Sequence, residues 1–340
     1  MNTSKNIYIL LDSNAVSICN YKPAKVEGEK TVLNLNTLKQ LIEYANSQEY
    51  IVSFVHGDIL PEIYYDALAL CKRQANIMNL TLFKRLSNSP NVTVSLDAAE
   101  YSHINRRKMS ENLNRSAIVH FNRETIGFLT DAVKSLLRIC RRIIIVCDDT
   151  SYFETEISRQ HEHALKRISD ILKYEIAHGK LTEVNVLTDS VFIDDPHPCL
   201  AGISSFAFSV GGKLYPCPAF IDNPEFELPF AYETGICNEN EHIYSLRPIC
   251  LNCTQYHCRR CAFTNYQFTK ELCIPPYETC TIAKIEKEMS KYMVEAQSPV
   301  ISRLKRSGCR SSQEVNDSPT PFSALNYCLP AFPIASMSLS

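Results

Sequence analysis

The chain has 340 residues, 45% of them hydrophobic and 21% charged, with a formal net charge of −2. That size suits one large domain with a smaller one, and the composition is that of an ordinary globular protein. A charge so near zero supplies no basic field for nucleic acid or an anionic membrane, so neither is expected as a partner.

Taken in order, the first apolar run is Ile7-Tyr8-Ile9-Leu10-Leu11. Asp12 stops it and no small-residue cleavage site follows, so it predicts a buried strand and not a signal peptide. Leu38, Leu41, Ile42 and Ala45 recur at helical spacing over 36–46. A second strand, Ile51–Val55, ends at His56-Gly57-Asp58. Pro61 opens a helix predicted to turn Ile63, Ala67, Leu70 and Cys71 inward. Further strands are expected at 92–96, 117–121, 143–147 and 184–187. Leu129, Val133, Leu136 and Leu137 mark a helix after the fourth strand, and a long one covers 153–178. Strand and helix alternate throughout, the pattern of β/α crossovers and a parallel sheet or partial barrel.

After Pro196 the pattern changes. Phe206–Val210, Gly211-Gly212 and Lys213–Tyr215 read as a β-hairpin with a two-residue glycine turn. Ile282, Ile285, Met289 and Tyr292 mark an amphipathic helix further on. From 297 to 322 the chain is rich in Ser, Pro and mixed charge, as a linker or tail would be. Residues 324–337 regain apolar side chains, suited to docking on the body or on a partner.

No apolar run approaches the length of a membrane span. The protein is expected in the cytoplasm, where thiols stay reduced and clustered cysteines mean metal and not disulfides. Only nine glycines occur, in neither a G-x-G-x-x-G nor a P-loop pattern, and no H-E-x-x-H appears. Cys71, Cys140 and Cys147 fall in helix or strand interiors and read as core thiols. His161 and His163 are two apart on a helix and cannot share a face. Asp148-Asp149 ends the fifth predicted strand, where a helix N-cap accounts for it as well as chemistry does.

Nine of the fifteen cysteines lie within 199–280. Cys250-x2-Cys253-x4-Cys258-x2-Cys261 puts four thiols in twelve residues, a density that usually meets at a metal or an iron–sulfur cluster. A structural zinc site also uses C-x2-C pairs, but it usually separates them further and needs fewer thiols. Cys199, Gly212 and Cys217 precede this run and Cys280 follows it. Seven cysteines in this order resemble the SPASM domain, the auxiliary-cluster domain of radical SAM peptide-modifying enzymes. Gly-Lys-Leu-Tyr-Pro-Cys217, Asn265 and Ile285-Glu286 add local likeness. The departure is a second half spaced x2, x4, x2, where the family more often has x2, x5, x3.

The resemblance implies two [4Fe–4S] clusters. Cys250, Cys253, Cys258 and Cys280 would hold one. Cys199, Cys217 and Cys261 would hold another, completed by Cys237 or Cys273 or left with one open iron. It further implies a fold: a radical SAM-like partial (β/α) barrel over 1–195, a small Cys-rich SPASM-like domain over 196–293 and a flexible tail over 294–340.

Such a barrel carries C-x3-C-x2-C after its first strand, whose thiolates hold the cluster that cleaves S-adenosylmethionine. Here the stretch reads Ala15-Val16-Ser17-Ile18-Cys19-Asn20-Tyr21-Lys22. Ala15 and Lys22 stand where two of the thiolates belong, and neither can ligate iron in their place. The Gly-Gly-Glu expected after the second strand is His56-Gly57-Asp58. S-adenosylmethionine is therefore not expected as a cofactor, and no catalytic residue is assigned.

A SPASM-like region on a barrel without that motif resembles the CXXX repeat peptide maturase family. Membership would imply maturation of small ribosomally made, cysteine-rich precursor peptides alongside a partner radical SAM enzyme. The chain starts almost at its first strand, so no N-terminal winged-helix peptide-recognition domain is expected. Two other readings stand beside this one: a zinc-held, non-catalytic peptide scaffold, and an active radical SAM enzyme with unconventional cluster ligands.

Overall fold

Parallel strands covered on both faces tend to be apolar along their whole length, and those of this chain largely are. The computed structural model describes residues 5–21, 30–85, 91–104, 115–137, 139–149, 155–178, 182–192, 201–221, 223–232, 235–236, 253 and 261–295. Strands β1 (Asn6–Leu10), β2 (Ile51–Val55), β3 (Gln74–Asn79), β4 (Val92–Asp97), β5 (Ser116–Phe121), β6 (Arg142–Cys147) and β7 (Glu183–Val184) lie side by side in chain order, all parallel. On the other side of β1, β8 (Ser205–Phe208) is again parallel, and β9 (Leu214–Tyr215) turns back antiparallel to it. The crossovers carry α1 (Leu35–Ser47), α2 (Glu62–Leu68), α3 (Leu80–Arg85), α4 (Leu129–Leu136), α5 (Thr155–Ala177) and α6 (Asn185–Phe192). The result is an open, partial (β/α) barrel.

Alternation along each strand divides the core in two layers. Ile7, Ile9, Val52 and Phe54 point outward to Leu38 and Leu41 of α1. Val94, Val119, Phe121 and Ile145 point outward to Leu129, Leu165 and Leu172 of α4 and α5. Inward point Tyr8, Val55, Ile77, Ile118, Ile144, Val146 and Ala207, a separate apolar set on the concave face. Each fully buried side chain of this kind contributes about 1.5–3 kcal/mol.

Two helices follow the Cys-rich stretch: α7 (Ala262–Thr269) and α8 (Tyr277–Glu295). The second packs on α5 and α6. Its Met289 and Met293 join the outer core, Ser290 Oγ donates to the Leu187 carbonyl at 2.9 Å, and Tyr292 OH donates to Asp170 at 2.9 Å. Among the described residues, no helix is long and apolar enough to cross a membrane.

Four expectations need correction. The strand β3 is absent from the sequence reading because Gln74, Asn76 and Asn79 break its apolar run. Asn76 is satisfied by a buried contact with His56 at 2.8 Å. Residues 184–187 are not a strand: β7 ends at Val184, and Asn185 bonds both the N–H (2.9 Å) and the C=O (3.1 Å) of Ile145. That side chain takes over the strand pairing, which frees its backbone to start α6. The helix after Pro61 ends at Leu68, leaving Ile63 (52%) and Leu70 (61%) exposed, while Ala67 and Cys71 are buried as expected. The hairpin loop has three residues, Val210-Gly211-Gly212, closed by Gly212 N–H to the Ser209 carbonyl and Ser209 N–H to the Lys213 carbonyl, 2.9 Å each. Gly212 takes φ +76°, the left-handed position that ends such a loop.

Far from the strands' C-terminal ends, Arg142 at the start of β6 is 2% exposed and bonds Glu183 at 2.6 Å and both oxygens of Asp189 at 2.9 and 2.8 Å. Burial works against its charge, but Asp189 and Glu183 more than offset that and raise its pKa. The triad fixes β6, β7 and α6 together. Arg142→Met would leave two carboxylates buried without their cation, and urea denaturation is expected to show a loss of about 3–5 kcal/mol.

Candidate functional site

In parallel barrels, chemistry gathers where strands end, because the loops there are free of pairing constraints. In this chain the loop after β1 occupies that mouth. Its anchor is Asp12, fully buried, which accepts the backbone N–H groups of Asn14 (2.8 Å), Gly57 (3.0 Å) and Asp58 (3.0 Å). The loop is thereby fastened to the end of β2, and Val16 N–H adds a bond to the His56 carbonyl at 3.1 Å. Asp58, exposed, is held by Asn14 Nδ2 at 3.0 Å and Lys30 at 3.3 Å. The Asn14 bond, then Lys30, lowers its pKa.

Past this anchor the loop turns apolar side chains into the barrel. Ala15, Ile18 and Tyr21, each 6% exposed or less, pack on the inward-facing strand residues. Burial raises the Tyr21 phenol well above its ordinary range, and Cys19 and Cys217 nearby add to the effect, so Tyr21 stays neutral. The Ser17 carbonyl accepts from Ser95 Oγ of β4 at 2.8 Å and from His120 Nε2 of β5 at 3.2 Å. His120 Nδ1 in turn meets Asp148, just past β6, at 2.6 Å. A polar chain from Asp148 through His120 to the loop thus crosses the concave face.

Beyond Tyr21 the loop reaches the Cys-rich region. Asn20 Nδ2 donates to Thr264 Oγ1 on α7, the Cys261 thiol faces Asn20 Oδ1 at 3.6 Å, and Tyr21 meets Phe263 edge-on with ring centroids 6.5 Å apart. Cys261 stands at the N-cap position of α7, its thiol making no bond to the helix backbone. Cys217, at the end of the hairpin, packs beside Phe226, Phe263 and Tyr266 against buried Phe220.

Of the cysteines singled out from the sequence, Cys217 packs on this aromatic cluster, and Cys261 directly precedes α7, which supplies Phe263 and Tyr266 to it. Cys253 and Cys273 are half-buried, and Cys280 is exposed in the first turn of α8. Cys199, Cys237, Cys250 and Cys258 lie outside the described residues. Among the described residues, no three His, Cys, Asp or Glu side chains stand grouped as a ready metal site.

Cys71 and Cys140 are buried, as core thiols are, whereas Cys147 at the end of β6 is half-buried; burial pushes the thiols of Cys140 and Cys147 up to about 12. His161 is buried against Phe121, 3.7 Å from Glu286, while His163 is exposed, so the two do not share a face. Asp148, just past β6, pairs with His120. His120 went unremarked in the sequence, although a lone imidazole at the C-terminal end of an apolar strand is a usable signal. Asn20 offered no signal, since its partners lie on α7, far along the chain.

The fold is that of a radical SAM-like partial (β/α) barrel. Two similar solved structures are described as hexahistidine-tagged anSMEcpe with bound AdoMet and as native anSMEcpe with bound AdoMet and Kp18Cys peptide. The first has TM-score 0.57 at 11% identity, covering 95% of this chain and 99% of that one. The second has TM-score 0.57 at 13% identity, covering 89% and 100%. A third, native anSMEcpe with bound AdoMet and Cp18Cys peptide, gives 0.54 at 12%, covering 89% and 99%. At such identities the likeness is one of fold. No protein-family model matches the chain, and no curated protein matches it.

Two outcomes test the mouth. A Cβ on Gly57 would stand 2.2 Å from Asp12 Oδ1 and 2.3 Å from the Asn14 backbone. Gly57→Ala is therefore expected to cost at least about 2 kcal/mol in chemical denaturation. Burial lowers the pKa of His56, outweighing its bond to Asn76 and the charge of Asp12. The unfolded chain then binds the extra proton more readily, so this stability is present above about pH 6.5 and lost as pH falls. Denaturation midpoints should drop between pH 7 and 5.5, and His56→Gln should flatten that slope.

Proposed function

We propose that this chain is a maturation protein for cysteine-rich, ribosomally made peptides of the CXXX repeat type, acting beside a radical SAM enzyme. The observation that carries this reading is the loop after β1. On a fold shared with peptide-bound anSMEcpe, that loop fills the barrel mouth with Ala15, Ile18 and Tyr21 and lacks two of the three expected thiolates. Generation of a radical from S-adenosylmethionine is then the partner's task, and this chain binds or positions the peptide.

The Cys-rich region is the second support. In this reading Cys199, Cys217 and Cys261 hold one [4Fe–4S] cluster, completed by Cys237 or Cys273 or left open at one iron. Cys250, Cys253, Cys258 and Cys280 hold a second. Cys217 packs on Phe220 beside Phe263 and Tyr266 of α7, and Cys261 directly precedes that helix, which suits a metal that ties the hairpin to α7. When bound, such clusters supply one-electron chemistry and, at an open iron, affinity for a peptide thiolate. The chain's own part is to keep the thiols at the edge of the barrel mouth, in reach of a peptide lying there.

Protein purified without oxygen and reconstituted with iron and sulfide is expected to hold about eight irons per chain. Cys217→Ala and Cys261→Ala should each lose roughly half of that iron, while Cys71→Ala and Cys140→Ala keep it all. A Cys-repeat peptide should change the EPR signal of the open cluster. Zinc without acid-labile sulfide would replace this reading with a zinc-held peptide scaffold. Release of 5′-deoxyadenosine, dependent on Cys19, would instead make the chain an active radical SAM enzyme.

A further inference from the structure

The loop after β1 is fastened to the strands through the Ser17 carbonyl, and the fastening depends on where protons sit. His120, 5% exposed, meets this carbonyl through Nε2 at 3.2 Å and Asp148 Oδ1 through Nδ1 at 2.6 Å. Ser95 Oγ donates to the same carbonyl at 2.8 Å. The Asp148 N–H bonds the Phe121 carbonyl at 2.9 Å, so strand backbone sets both the ring and the carboxylate.

A carbonyl oxygen can only accept, so Nε2 must carry a hydrogen to bond it. A neutral imidazole then presents a bare lone pair at Nδ1, and an ionised carboxylate offers only lone pairs in return. Two acceptors do not settle at 2.6 Å. A second proton therefore lies between Nδ1 and Asp148, one more than a neutral ring beside a carboxylate would hold. When that proton leaves, a single hydrogen must serve both sides. Its stronger place is Nδ1, where the bond to the carboxylate is charge-assisted. Nε2 then turns a lone pair to the Ser17 carbonyl, and of the two bonds there only that from Ser95 remains.

Other ionisable groups surround the pair. Asp97 of β4 lies opposite His120 in register and accepts the Ala99 N–H at 2.8 Å. The loop brings Cys19 and Tyr21, and Cys147 precedes Asp148, with Asp149 and Glu286 of α8 bearing on its thiol. Burial keeps Tyr21 neutral and pushes Cys147 up to about 12, so neither gains charge near neutral pH. Histidine is the side chain that changes charge in that range.

We infer that His120 and Asp148 form a proton-controlled latch: with the extra proton the loop is held to β5, and without it the Ser17 carbonyl is released. Release opens the concave face, lined by Tyr8, Ile118 and Val146, to an apolar group entering at the mouth. The latch needs no metal.

The test is hydrogen–deuterium exchange on the full-length chain between about pH 5.5 and 8.5. It reads the protection of the Ala15, Val16 and Tyr21 amides, which are bonded in the loop. In wild type this protection should fall about two- to tenfold as pH rises, the worth of one hydrogen bond. The amides of α5 should keep theirs and report an intact fold. Asp148→Asn decides the matter. Its amide donates to Nδ1, so a neutral ring can give its one hydrogen to Ser17, and the loop should stay closed at every pH. A merely structural ion pair predicts the reverse, a loop loosened throughout. His120→Gln should abolish the pH dependence. The effect of His56 runs the other way, weakening the fold as pH falls, and so cannot imitate this profile. Wild-type protection flat with pH, or a loop loosened by Asp148→Asn, would overturn the inference.

Discussion

One buried carboxylate sets the architecture of the barrel mouth. Asp12 accepts three backbone N–H groups, from its own loop and from the end of β2, and so closes the gap between the first two strands. A buried carboxylate with several backbone donors is well compensated for burial, and without it the buried Gly57 amide would lose its partner. Gly57 is the steric counterpart, since no side chain fits between the two strands at that point. With the anchor in place, the rest of the loop has one course, across the concave face towards the Cys-rich region.

That course gives the loop two kinds of contact. Its apolar side chains complete the inner core, the layer that a barrel open at one side would otherwise leave exposed. Its polar backbone is received by Ser95 and His120, with Asp148 behind the imidazole. Both are tertiary, and both lie at strand ends, where side chains from neighbouring strands converge. The loop is thus held as part of the body, and at its far end it reaches α7.

Much of the fold was legible in the sequence. The runs at 7–11, 51–55 and 143–147 form strands because they are apolar at nearly every position, and α1 carries helical periodicity clean enough to name its buried face. What escaped was decided by single polar side chains acting over long range. β3 is disguised by Asn76, whose partner is His56, and the strand expected at 184–187 is cut short by Asn185, which bonds the backbone of Ile145. The hairpin loop was misjudged by one residue because a pair of glycines does not say which of them takes the positive φ.

The sequence by itself determined the alternation that makes a parallel sheet, the density of thiols after 199 and the lack of two thiolates behind the first strand. These are properties of residue type and spacing, and they survive in any arrangement of the chain. Only the tertiary structure decided that Asp12 ties the loop to β2, that His120 and Asp148 form a pair, and that Asn20 meets Cys261. Those contacts join residues 28 to 241 positions apart. Nothing local specifies such partners. They arise because eight parallel strands bring their C-terminal ends to one rim, and the loops leaving that rim meet one another there.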